Sequence, residues 1–99
     1  MPRDHESLVR QIEQQAALDP RIVAALQRVD RAGFVPEQMK REAYLDRPVA
    51  IPDRQTTSQP SLIAHMIEVA AVGPDDRVLE IGTGYGYQTA LLAGLAREV

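Results

Sequence analysis

Cysteine is absent from the 99 residues, and aromatic side chains are scarce: one phenylalanine, Phe34, and three tyrosines, Tyr44, Tyr85 and Tyr87. Without cysteine, disulfides, thiolate metal sites and cysteine nucleophiles are excluded, and no metal site is expected. The tyrosines and methionines are scattered, so they make no stacking platform for bases. A net charge of −3 gives no general attraction for nucleic acid or an anionic membrane surface. No apolar run approaches the roughly 20 residues needed to span a bilayer. The first ten residues hold Arg3, Asp4, His5, Glu6 and Arg10 with no apolar stretch behind them. They do not read as a signal peptide, and the cytoplasm is the default compartment. What is present, 44% apolar and 25% charged residues, suits one small globular domain with a modest core.

Residues 4–17 read as a helix with Leu8, Val9, Ile12 and Ala16 on one face. Asp19-Pro20 restarts the chain as an N-cap followed by a first-turn proline. Ile22, Ala25, Leu26 and Val29 then predict a helix over 20–29, with Gly33 as its terminator. Pro36 opens a short helix to about Ala43. Prolines 48, 52 and 60 make 46–60 an extended loop, with Val49-Ala50-Ile51 as an edge strand at best. Pro60 opens another helix whose buried face is Leu62, Ile63, Met66, Ile67 and Ala70, with His65 at its border. That helix stops before Gly73-Pro74.

The chain then reaches Arg77-Val78-Leu79-Glu80-Ile81-Gly82-Thr83-Gly84-Tyr85-Gly86-Tyr87-Gln88. Val78, Leu79 and Ile81 predict a short buried strand. Gly82, Gly84 and Gly86 allow positive φ and bring the backbone close to a ligand. Leu91, Leu92, Leu95 and Val99 continue as one face of a helix over 87–99. Exposed amides at its N-terminus would receive a nucleotide-like ligand. A dinucleotide fingerprint would put its third glycine at position 87, which is Tyr87. The pattern here is Glu80-x-Gly-x-Gly-x-Gly, and a carboxylate at the strand end suits a ligand with an ammonium group, such as a methionine moiety. The turn resembles motif I of the class I S-adenosylmethionine-dependent methyltransferases. One parallel strand has no ladder partner, so the chain is expected to be the front of a larger α/β sheet.

Gln55-Thr56-Thr57-Ser58-Gln59-Pro60 concentrates small hydroxyls. On chemistry alone these cap the next helix and bond the loop, since no histidine or acid beside Ser58 marks an activated nucleophile. Taken together, however, three segments are similar in order and spacing to protein-L-isoaspartate O-methyltransferases. They are Val29-Asp30-Arg31-Ala32-Gly33-Phe34-Val35-Pro36 with Ala43-Tyr44 after it, the hydroxyl segment, and Asp76 to Gln88. The resemblance implies methyl transfer from S-adenosyl-L-methionine to the α-carboxyl of L-isoaspartyl residues in damaged proteins or peptides. The ester then closes to a succinimide that can reopen as aspartate. It implies Ser58 as the active-site serine, with Thr56 and Thr57 lining the same pocket. It further implies Glu80, Gly82, Thr83, Gly84 and Gly86 as the holders of the donor's methionine half.

The fold so implied is α/β. A helical region with a substrate-side loop over 1–57 leads, at 58–99, into the first strand and helix of a Rossmann-like donor-binding domain, truncated and inactive by itself. The family's loop commonly has glycine where this chain has Pro52 and Arg54, isoleucine at Thr57 and serine at Tyr85. These departures keep two other readings open: a methyltransferase for a small molecule, and a non-catalytic fragment or helical interaction module.

Overall fold

A computed structural model describes residues 4–99. Asp4 starts the first helix, α1 (His5–Gln15), by accepting from the Ser7 amide at 2.8 Å and the Ser7 hydroxyl at 2.7 Å. Leu8, Val9 and Ile12 are buried along one stripe, and the helix stops at Gln15, two residues short of the predicted end, because Ala16 is extended. In α2 (Pro20–Arg28), Asp19 accepts from the Arg21 amide at 2.8 Å and Pro20 occupies the first turn. Gly33 does not terminate this helix. The chain leaves at Val29, and Gly33 lies inside a 3-10 turn, Arg31–Phe34, that Asp30 caps through the Ala32 amide at 2.9 Å. A second 3-10 segment, Glu37–Glu42, takes the place of the short helix after Pro36.

The 46–60 segment is more ordered than an extended loop. Strand β1 (Val49–Ile51) pairs antiparallel with β2 (Gln55–Thr57), in the register Val49 to Thr57 and Ile51 to Gln55. Asp53 and Arg54 at the tip have φ of 66° and 58°, the left-handed geometry whose twist joins tight hairpins. No glycine or asparagine stands there, so the usual hairpin signal was missing.

Helix α3 (Pro60–Ala70) buries Pro60, Ile63, Ala64 and Ile67. The stripe is narrower than predicted: Leu62 and Met66 are each 47% exposed, and Ala70 and His65 also face out. Gln59 offers no side-chain cap; Asp46 supplies one from across the loop, accepting from the Ser61 amide at 2.9 Å and from Gln15 Nε2 at 3.0 Å. Burial would raise the Asp46 carboxyl, but the hydrogen bonds from Ser61, Gln15 and Gln59 outweigh it and hold the group below the usual carboxylate range. The helix ends at Ala71, left-handed at φ 53° and ψ 48°. A Cβ is strained there, so Ala71→Gly is expected to raise stability by about 0.5–1 kcal/mol, read as a higher urea midpoint at unchanged slope.

Helix α4 (Tyr87–Ala93) is shorter than the predicted 87–99. At Gly94 the chain tightens, with Gly94 and Leu95 amides donating to Leu91 and Leu92 carbonyls at 3.2 and 2.9 Å. Leu95 still reaches the core, whereas Val99 is 43% exposed. The return brings Glu98 parallel to Arg77, where the Val78 amide donates to the Glu98 carbonyl at 2.8 Å. The predicted solitary strand therefore has a partner at its first residue. It is not a buried strand: beyond that bridge no ladder forms among the described residues, and Leu79 and Ile81 are 86% and 88% exposed. The architecture is α/β, and its main core unites the four helices through residues such as Leu8, Leu26, Ile67 and Leu91. Arg21 closes the far end, donating to the Val72 carbonyl at 3.0 Å and the Leu95 carbonyl at 2.6 Å. Among the described residues no helix is long and apolar enough to cross a membrane.

Candidate functional site

The hairpin and the glycine turn face each other across one cleft. One wall is Thr56, Thr57 and Ser58 with Ile51; the other is Glu80, Gly82, Thr83, Gly84 and Gly86; Phe34, Ile63, Tyr85, Tyr87 and Gln88 complete it. All eight residues singled out from the sequence thus border a single space, although 22 positions separate the end of β2 from Glu80 in no obvious way along the chain.

Local geometry explains the turn wall. Gly82, Gly84 and Gly86 have φ of 79°, 57° and 91°, a region that costs other residues about 1–2 kcal/mol each. At Gly84 an added Cβ would make only ordinary contact with Ile51 Cδ1 at 3.5 Å, so the positive φ, not space, is what calls for glycine there. The Gly86 amide is used inside the turn, donating to the Thr83 carbonyl at 3.0 Å. Among the described residues, no protein acceptor takes the amides of Gly82, Thr83, Gly84 or Tyr85. Helix α4 has only seven residues, so the unpartnered amides of the turn matter more here than a helix dipole.

Glu80 is half-buried and accepts a short hydrogen bond from the Thr89 hydroxyl on α4. That bond aims the carboxylate from behind, and Thr89 had no signal in the sequence beyond being a polar residue on a helix. The chemistry of a carboxylate beside unpartnered amides suits a zwitterionic ligand, an acid for an ammonium and amides for a carboxylate.

The opposite wall divides its hydroxyls. Thr56 and Ser58 are exposed to the cleft, and the Ser58 hydroxyl has no protein partner among the described residues. Thr57 is half-buried, and its Oγ1 lies 3.4 Å from both the Ser58 carbonyl and Arg31 Nη2. It belongs to the framework as much as to the lining. His65 and Arg54 stand outside the cleft lining, and Arg47 is engaged by Glu42 at 2.6 Å.

Two groups near the cleft escaped the sequence reading. Tyr87, at 4% exposure, packs its ring against Phe34 with centroids 6.0 Å apart, and burial pushes its phenol up to about 12. It stays neutral at physiological pH. Behind it lies Arg31, fully buried, with its guanidinium carbon 5.9 Å from the Tyr87 ring centroid. Burial lowers the Arg31 pKa from the ordinary arginine value, but a guanidinium remains charged in proteins. Nothing in the sequence separates Arg31 from a solvated arginine except its neighbours Phe34 and Val35.

Comparison with known proteins supplies the family. The family model described as Protein-L-isoaspartate(D-aspartate) O-methyltransferase (PCMT) matches residues 3–99. A protein-L-isoaspartate O-methyltransferase of Picosynechococcus sp. is 49% identical over 90 residues, covering 91% of this chain and 40% of that protein. One from Myxococcus xanthus is 53% identical over 81 residues, covering 82% and 38%. Among solved structures, a putative protein-L-isoaspartate O-methyltransferase from Plasmodium falciparum in complex with S-adenosyl-L-homocysteine superposes with a TM-score of 0.79. It is 26% identical, and the match covers 93% of this chain and 42% of that one. The chain thus spans about 40% of the length of the curated relatives it matches. Family model, sequence relatives and fold agree: the chain belongs to the protein-L-isoaspartate(D-aspartate) O-methyltransferase family.

Proposed function

We propose that this chain carries the acceptor wall and the methionine-side donor wall of an S-adenosyl-L-methionine-dependent methyltransferase for L-isoaspartyl residues in proteins and peptides. The observation that carries the reading is the cleft itself, with the half-buried, Thr89-held Glu80 on one side and the unengaged Ser58 hydroxyl on the other. Residues 1–57 serve the acceptor side and 58–99 open the donor side.

The donor, when bound, supplies an electrophilic methyl carbon on a positively charged sulfur. Glu80 receives the ammonium of its methionine half, and the free amides at Gly82, Thr83 and Gly84 receive the carboxylate. Gly86 contributes a bare backbone for close approach, its own amide being spent in the turn. An acceptor carboxylate is already nucleophilic, so the cleft needs no strong base, and none lines it. Ser58 donates one hydrogen bond that orients the acceptor without neutralising it, and Thr56 and Thr57 wall the same space. The gain is in alignment.

The test is a chimera in which residues 1–99 replace the matching front of the Picosynechococcus relative. It is expected to methylate isoaspartyl but not aspartyl peptides. Transfer to neither, or a preference for a small-molecule carboxylate, would refute the reading. In that chimera Ser58→Ala is expected to lower kcat/KM about tenfold, the worth of one orienting hydrogen bond. The exposed position of Ser58 leaves thermal stability unchanged. An undiminished rate would remove Ser58 from the mechanism.

A further inference from the structure

Arg31 is the only charged side chain among the described residues that is fully buried, at 0% exposure. No carboxylate among them lies within 4 Å of its guanidinium. Its hydrogen bonds go instead to a single segment, all but one of them to backbone carbonyls. Nη1 donates to the Leu45 carbonyl at 3.0 Å and more weakly to Ala43 at 3.4 Å. Nη2 donates to the Arg47 carbonyl at 3.0 Å, with longer contacts to the Ser58 carbonyl at 3.3 Å and Thr57 Oγ1 at 3.4 Å. Both ends of the 43–58 segment are therefore gathered on one planar fork. The fork's central carbon lies over the ring of Tyr87, the residue that follows the glycine turn.

Core stabilisation alone accounts poorly for this arrangement. A buried cation is costly to desolvate, and its Nε–H is left buried without a partner. An apolar side chain would fill the volume at less cost but could not hold several carbonyls at once. Lysine could not do so either, because its single nitrogen cannot span carbonyls on both sides of a planar fork.

We propose that Arg31 is a positioning residue, which ties the Ser58 segment to the Tyr87 end of the glycine turn and so keeps the acceptor and donor walls in one register. The inference rests on the methyltransferase reading for what the two walls hold, and on the geometry above for the tie itself.

The test uses the 99-residue chain, isotope-labelled, as wild type, Arg31→Lys and Arg31→Ala. Amide hydrogen exchange over 43–58 and around Tyr87 is expected to rise by about tenfold or more in both variants. Exchange at Ile12, Leu26 and Ile67 in the helical core is expected to change by less than about threefold. Millimolar guanidinium should restore the Arg31→Ala segment, and equal ammonium should not. Uniform loss of protection throughout the helices would reduce Arg31 to a fold residue and overturn the proposal. So would unchanged exchange over 43–58 in Arg31→Lys, or equal rescue by ammonium. Titration of the chimera described above, with and without Arg31→Lys, by S-adenosyl-L-homocysteine is the separate arm. Shifts at Gly82 to Gly86 in the unsubstituted chimera that weaken in Arg31→Lys support the link between walls. An unsubstituted chimera that shows no such shifts counts against the donor reading, while the exchange data still decide the tie.

Discussion

Replacing Glu80 with alanine is expected to weaken S-adenosyl-L-homocysteine binding by the chimera about 10- to 150-fold. The range follows from about 1.5–3 kcal/mol for a hydrogen bond to a charged group. Glu80 is half-buried and aimed by Thr89, so the bond to a ligand ammonium forms without reordering a flexible side chain. Glu80→Gln should lie between the two, since it keeps an acceptor oxygen and loses the charge. Thr89→Val should cost less than Glu80→Ala, because it frees the carboxylate without removing it. Calorimetric titration of the three variants measures the order. Affinity unchanged in Glu80→Ala would take the carboxylate out of the donor site, and with it the reason for reading the turn as a methionine pocket.

Leu91→Ala is expected to destabilise the chain by about 3 kcal/mol, within the 2–5 kcal/mol seen when a leucine is removed from a packed core. Leu91 is 1% exposed and sits on α4 within the four-helix core. A domain of this kind has only about 5–15 kcal/mol to lose, so the loss is a large share of its stability. Leu79→Ala is the matched control. The same atoms leave a side chain that is 86% exposed, and the change should stay within about 0.5 kcal/mol. Urea unfolding of both variants makes the comparison. Equal effects would mean that residues 77–81 are packed in solution, contrary to the geometry described.

These two leucines also show what the sequence could and could not reveal. Helices were legible where a cap and a periodic face agreed, as at Asp19-Pro20 with Ile22, Ala25 and Leu26. Each of those signals acts within a few residues. The buried strand was misread because its apolar run was right for a strand while burial depends on a neighbour, and the neighbour is present only at Glu98. Of the hairpin, β1 is the edge strand Val49–Ile51 expected from the sequence, but β2 and the turn were not legible: Asp53 and Arg54 take left-handed φ without the residues that usually advertise it. In the site, the glycine spacing pointed to a ligand-holding turn by itself, whereas the hydroxyl segment stood out only through its resemblance to the family; both line one cleft. Arg31, Thr89 and Asp46 were not visible, because each acts through hydrogen-bond partners 9 to 31 positions away.

The parallel bridge between Arg77 and Glu98 carries a consequence for the order of assembly. Helices α1 and α2 meet across a four-residue link, from Ala16 to Asp19, and need no distant partner to do so. The glycine turn reaches its place only after α4 has docked and the chain has doubled back, a closure that is slower because its contacts are remote in sequence. In refolding, the hairpin wall is therefore expected to mature on a helical platform while the glycine-turn wall is still open. Pulse-labelled exchange should protect Ile12 and Leu26 before Val78. Cleft formation would then be the last event of folding, and the first to be undone.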